Sequence, residues 1–188
     1  MRRLSQVLLV AIATVGVAGC AVDMRSVGAS FTRPAAVSLG SVDAAAAAQM
    51  ISAYRASRGL PGVSVDRRLT QIAADHAVKM AAANELAHVL PGQGSFRQRI
   101  EAVGYQAAIA AENIGAGFDN LSEAIARWQA SPSHDTNLLR PGLTHIGIAV
   151  AKAPGTRYGT WWSLVLAAPY EAPAAGGART PFFSLFGR

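Results

Sequence analysis

The chain of 188 residues has a single cysteine, Cys20, so no disulfide can form within it and its fold must rest on a packed core. Charged residues make up only 15 %, with 11 acidic against 17 basic side chains. Fifteen of those basic residues are arginines, scattered singly or in pairs. No basic run is interleaved with aromatics, which excludes the usual footprint of a nucleic-acid surface. Aromatics amount to 7 %. The longest uncharged apolar run, Val7 to Ala18, is too short to span a bilayer comfortably. No His-Glu-x-x-His or other compact metal motif is present, no internal repeat is evident, and no organic cofactor is expected.

What the amino terminus does have is a secretory signal pattern: Arg2 and Arg3, then the apolar run, then Val17-Ala18-Gly19-Cys20. The tetrad resembles a lipobox, in which the cysteine is lipidated and becomes the first mature residue. A plain signal peptide or a short membrane anchor are the alternatives. On the lipoprotein reading, residues 1–19 are the signal and Cys20 carries the lipid. Each buried CH₂ then contributes about 0.8 kcal/mol, so several acyl chains hold firmly to a membrane. Ala21 after the cysteine, rather than an acidic residue, favours the outer membrane if the cell has one. The expected place is thus the cell envelope, facing periplasm or exterior. The 169 residues left carry a formal charge of +4, enough length for one domain and a weak attraction to acidic envelope polymers.

Residues 20–42 are small, polar and irregular and read as a tether. From Asp43 the pattern is helical. Asp43 caps a helix to about Arg58, stopped by Gly59, and Asp66 opens a second whose apolar stripe is Leu69, Ile72, Ala73, His76, Ala77 and Met80. Ser95 caps a short helix through Val103. Asn120 with Glu123 forms a capping box for a helix carrying Ile125 and Trp128, ended by Ser131-Pro132. Thr144 to Ala151 and Tyr158 to Ala168 read as two strands of a hairpin. Helices first and strands late predict an α+β domain over residues 43–170, with helices around a small antiparallel sheet. Residues 171–188 read as a frayed tail, although Phe182-Phe183-Ser184-Leu185-Phe186 could instead dock on the domain or a membrane surface.

The four histidines separate by context. His76, on the apolar stripe, reads as a core histidine with one bonded nitrogen. His88 leads into a Gly/Pro loop, a usual place for ligand-holding side chains. Glu112 follows apolar, Ala-rich sequence, where a lone carboxylate needs a cation or a hydrogen-bonding cleft. His134 sits at a helix end. His145 starts a strand and is read evenly between cleft and surface. Two or three imidazoles with one carboxylate suit Zn²⁺ or another divalent cation.

The order of segments resembles the bacterial branch of the CAP superfamily (cysteine-rich secretory, or SCP-like, proteins). The resemblance is carried by Tyr54-Arg55-Ala56-x-x-Gly59-Leu60, Ala74-x-His76-Ala77-x-x-Met80-Ala81, Glu85-Leu86-Ala87-His88, Arg99-x-x-x-x-Gly104-Tyr105 and Glu112-Asn113-Ile114-x-x-Gly117. It continues through Trp128-x-x-Ser131-Pro132-x-His134 with Asn137-Leu138-Leu139, and Thr144-x-Ile146-Gly147-Ile148. It implies an α-β-α sandwich whose cleft contains His88, Glu112 and His134, with His88 and His134 as metal ligands. The chain departs from the animal pattern at Ser131 and Gly142, where those members have Glu and His, and from the bacterial one at His145. Three functions follow in order: a module binding a lipid, peptide or cell-wall fragment; a metal-dependent hydrolase with Glu112 as candidate catalytic base; an adhesion or structural envelope protein.

Overall fold

The computed structural model describes residues 36–170, so the signal pattern, Cys20, most of the tether and residues 171–188 lie outside the described residues. Within them the elements run β1 (Ser38–Leu39), α1 (Ala44–Ala56), β2 (Ser64–Val65), α2 (Arg67–Ala83), α3 (Phe96–Ala102), β3 (Ala107–Ala116), α4 (Leu121–Gln129), α5 (Pro132–Leu138), β4 (His145–Lys152) and β5 (Thr160–Pro169). The fold is α+β in three layers. The sheet has the order β1-β4-β5-β3, with β2 alongside β4. Its long strands are antiparallel, whereas β2 pairs β4 in parallel.

Local chemistry explains the helix starts. Asp43 and Asp66 accept from backbone N–H groups of the first turns of α1 and α2, and Ser95 closes a reciprocal capping box with Gln98. Asn120 caps α4 through Glu123 N–H, while the Glu123 side chain reaches one residue further out, to Asp119 N–H. Ser131-Pro132, expected only to end a helix, also begins the next: Pro132 occupies the first turn of α5, where its missing N–H costs nothing. The carboxyl end of α2 is closed by Asn84 in the left-handed region at φ 52°, which turns the chain into the loop that carries His88.

Both faces of the sheet are covered. Ala47 and Ile51 of α1, Ala124, Ile125 and Trp128 of α4 and Leu138 of α5 pack with Ile146, Ile148, Val150, Trp162, Leu164 and Leu166. On the other face, Leu69, Ile72 and Ala73 of α2 and Ile100 of α3 pack with Ala149, Val165 and Ala167, and further along α2 Ala77 and Met80 pack with Ile114 and Trp161. Strands buried on both faces read as continuous apolar runs, and β4 and β5 do. The α2 layer lies so close to β4 that a Cβ on Gly147 would fall 2.0 Å from the Leu69 carbonyl carbon and 2.1 Å from the Thr70 nitrogen.

Two expectations are corrected. β1 pairs with Ala151 and Lys152 of β4, so the folded domain reaches back to Ser38, inside the segment read as tether. β3, a ten-residue strand, occupies the Ala-rich stretch around Glu112 to which no strand was assigned. Its alanines have low strand propensity. The pairing with β5 from Ala107 to Ala116 overrides it. No described helix is long and apolar enough to cross a membrane.

Candidate functional site

The site is built around the middle of β3, an edge strand. Alternation sends Glu112 and Asn113 to opposite faces. Glu112, 6 % exposed, turns toward α2 and α3. There Arg99 of α3 grips it twice: Nη1 donates to Oε2 at 2.7 Å and Nη2 to Oε1 at 3.1 Å. The same Nη2 donates to the backbone carbonyl of His88 at 2.9 Å, which fixes the loop. His88 Nδ1–H donates to Glu112 Oε1 at 2.9 Å, and His76 Nε2 stands 3.6 Å from the same oxygen. His76 is fully buried and its Nδ1 bonds Gln93 Oε1 at 2.9 Å, so it is the core histidine its stripe predicts, yet it also walls the carboxylate.

Asn113, fully buried, turns the other way. Its Nδ2 donates to the carbonyl of His134 at 3.0 Å. Asn137, one turn later in α5, donates through Nδ2 to Asn113 Oδ1 at 2.9 Å and to Glu112 O at 3.3 Å. These amides clamp α5 against the strand and bring His134 to the side of β3 opposite α2. His134 Nδ1 and Ser131 Oγ share a hydrogen bond of 3.0 Å. His88 and His134 thus approach the strand from its two sides.

His145 stands apart from this group. Its register opposite Ala167 leaves β5 between it and β3. There its Nδ1 bonds the Tyr105 hydroxyl at 3.2 Å and Thr144 Oγ1 at 3.0 Å, and the Tyr105 ring meets it edge-on.

The electrostatics follow from burial and partners. Burial alone would push the Glu112 carboxyl up, but the bonds from His88 and Arg99 and the nearby positive charge outweigh it, so Glu112 is held below the usual carboxylate range. Burial lowers His76, only partly opposed by Glu112, and burial with the His88 charge lowers His134.

An ionised carboxylate only accepts, so in the neutral form of His88 the proton lies on Nδ1 and the free lone pair on Nε2. In His134, too, Nδ1 is the engaged nitrogen. Among the described residues no three His, Cys, Asp or Glu side chains gather into a group that could hold a metal ion. The donors available to a cation are therefore two imidazole Nε2 atoms, with Glu112 bound behind His88. Two imidazoles fall short of a closed cage, so any cation held there would take its remaining ligands from water or a bound molecule.

Sequence reasoning missed Arg99, Asn113 and Asn137 as functional residues. A signal for Arg99 exists: Phe96, Arg99, Ile100 and Val103 share one face of a helix at the spacing of a buried stripe, and an arginine there needs buried acceptors, either an acid or free carbonyls.

The model of the CAP family, described as the cysteine-rich secretory protein family, matches residues 48–166. The chain belongs to the CAP family. Among curated relatives, YkwD of Bacillus subtilis (strain 168) is 29 % identical over 105 residues, covering 56 % of this chain and 41 % of YkwD. The membrane protein YlbC of the same organism is 28 % identical over 101 residues, covering 54 % of this chain and 29 % of YlbC. The chain thus spans less than half the length of these relatives. Among solved structures, an outer surface protein from Borrelia burgdorferi superposes with a TM-score of 0.61 at 20 % identity, covering 71 % of this chain and 100 % of that one. An extracellular SCP-domain protein from Bacillus anthracis str. Ames gives 0.58 at 22 % identity, covering 65 % and 39 %. At these identities the likeness establishes the CAP fold alone.

Proposed function

We propose that this protein is an envelope-anchored CAP-domain binding module that holds a polar ligand, such as a peptide or cell-wall fragment, through an open cation site at His88 and His134. The observation that carries this reading is the occupancy of Glu112. Both carboxylate oxygens are taken by Arg99, one also by His88, and the group is nearly inaccessible. A general base must meet the proton it abstracts. Glu112 is instead an anchor that fixes the His88 tautomer and aims Nε2 outward. A hydrolase would have to find another base. Exposed Leu86 and Val89 flank His88 in sequence and supply an apolar rim for the lipid or acyl part of a ligand. A divalent ion bound there would act as a Lewis acid toward ligand oxygens, while the protein residues position it.

Envelope location is supported by the lipobox-like Val17-Ala18-Gly19-Cys20 and by the extracellular and outer-surface origin of the two structural neighbours. Two experiments test the reading. Native mass spectrometry of protein taken from its own membrane is expected to show a co-purifying ligand that His88→Ala releases; an empty cleft that also ignores Zn²⁺, lipid and muropeptide libraries contradicts it. Cys20→Ser is expected to abolish lipid labelling and move the protein out of the membrane fraction; a variant that stays membrane-bound contradicts the anchor.

A further inference from the structure

A second concavity, of about 760 Å³, lies between α3 and the first half of β3, bordered by Phe96, Ile100, Tyr105, Ala107, Ala110 and Tyr170. It is separate from the His88–His134 pair. The adjoining strand edge is only half covered. Trp128 Nε1 donates to the outward carbonyl of Ile114 and Asn137 Nδ2 to that of Glu112. The two-residue alternation of the strand turns the N–H and C=O of Ala110 outward in the same way. Among the described residues, nothing hydrogen-bonds them. The lining, which also includes Arg97, Glu101 and Gln106, therefore sets apolar side chains beside unpaired backbone, the combination that accepts an extended segment.

The chain leaves β5 at this groove. Tyr170, itself part of the wall and 58 % exposed, donates its backbone N–H to Gln106 O at 2.7 Å, just before β3. Residues 172–178 that follow are only Ala, Pro and Gly, and beyond them Phe182, Phe183, Leu185 and Phe186 include three of the chain's six phenylalanines. Phe182 lies twelve residues beyond Tyr170, a reach of up to about 40 Å when extended. The seven residues of α3 span only about 10 Å. A tethered segment sits at an effective concentration in the mM range, so it fills a weak groove that a free partner of equal affinity at micromolar level leaves empty.

We infer that this groove is the docking site of the chain's own carboxyl-terminal segment, with Phe182–Phe186 laid against α3 and the open end of β3. A docked segment would extend the sheet beyond β3, two residues from Glu112, and close the strand edge to other chains.

The test uses the full chain with a photo-crosslinking phenylalanine analogue at position 183, together with hydrogen exchange of the unlabelled full chain. The inference predicts crosslinks to residues 96–110 at monomer mass, unchanged on dilution. It also predicts slowed exchange of the 182–186 amides, and exchange at Ala110 at least about 10-fold faster in a variant ending at Tyr170. Crosslinks only at dimer mass would assign the groove to a second copy. Crosslinks only to added lipid vesicles would assign Phe182–Phe186 to a membrane. Exchange of residues 182–186 at the unprotected rate would remove the docked element altogether. Each of these three results overturns the inference, and the full-chain measurement stands whether or not the shortened variant folds. Ligand or metal binding at His88 and His134 is not its readout, so the two proposals fail separately.

Discussion

Two arginines buried on apolar helix stripes set the residue-scale energetics. Arg55 is fully buried at the end of α1 with no acid beside it. Its guanidinium instead donates to the carbonyls of Pro61, Leu138, Arg140 and Leu143, at 2.7 to 3.3 Å, stapling α1 to the chain between α5 and β4. Arg55→Met would orphan four carbonyls while keeping much of the volume. A loss of about 3 kcal/mol or more in urea unfolding is expected, and a loss below about 1 kcal/mol would deny the staple. Arg99 is the opposite case, paired to a buried carboxylate. Arg99→Met is expected to cost about 3 to 5 kcal/mol because Glu112 would remain as an uncompensated charge, and the double change Arg99→Met with Glu112→Leu should recover much of it. If the double variant is no more stable than the single one, the cost arises from packing and not from the stranded charge.

At the scale of elements, the tightest approach at any described glycine is α2 against β4 at Gly147. A methyl group there would collide with the α2 backbone, which cannot step aside as a side chain could. Gly147→Ala is expected to destabilise by about 3 kcal/mol, measured as a lowered urea midpoint at unchanged m; a cost within 0.5 kcal/mol, as at a surface position, contradicts the contact. Elements with local signals were legible in the sequence: Asp43, Asp66, Ser95 and Asn120 each mark a helix start, and the β-branched and aromatic runs mark β4 and β5. β1, β2 and β3 were not, because two-residue strands carry no periodicity and β3 is alanine-rich, its strand state fixed by β5 far along the chain. The site was legible in the same measure. His88 and Glu112 were singled out from two separate segments that resemble the family, and the fold brings them to 2.9 Å of each other. The Arg99 clamp and the Asn113–Asn137 amides depend on contacts between distant elements, and the place of His145 depends on strand register, so these had to be seen in three dimensions.

At the scale of the whole molecule, stability responds to acid. His76 and His134 are held neutral by burial, below the ordinary value of 6.5. As pH falls through 6.5 the unfolded chain takes up these protons first, so stability present above 6.5 is lost progressively toward the lowered folded values. Glu112 adds a second loss below the ordinary carboxylate range, because its folded value is depressed. Unfolding free energy should therefore decline between pH 7.5 and 5.5, with a shallower slope in His76→Gln; a profile flat over that interval contradicts neutral burial.

The central claim is the convergence of His88 and His134 with both Nε2 atoms open and Glu112 bound behind. Its most direct measurement is a Zn²⁺ titration of the protein followed by imidazole ¹⁵N resonances. The account predicts that Nε2 of His88 and His134 shift together on one binding curve, that His76 and His145 do not move, and that Glu112→Gln weakens the binding by about 10- to 100-fold. Shifts confined to one histidine, or to His145, or none at millimolar zinc, would contradict it.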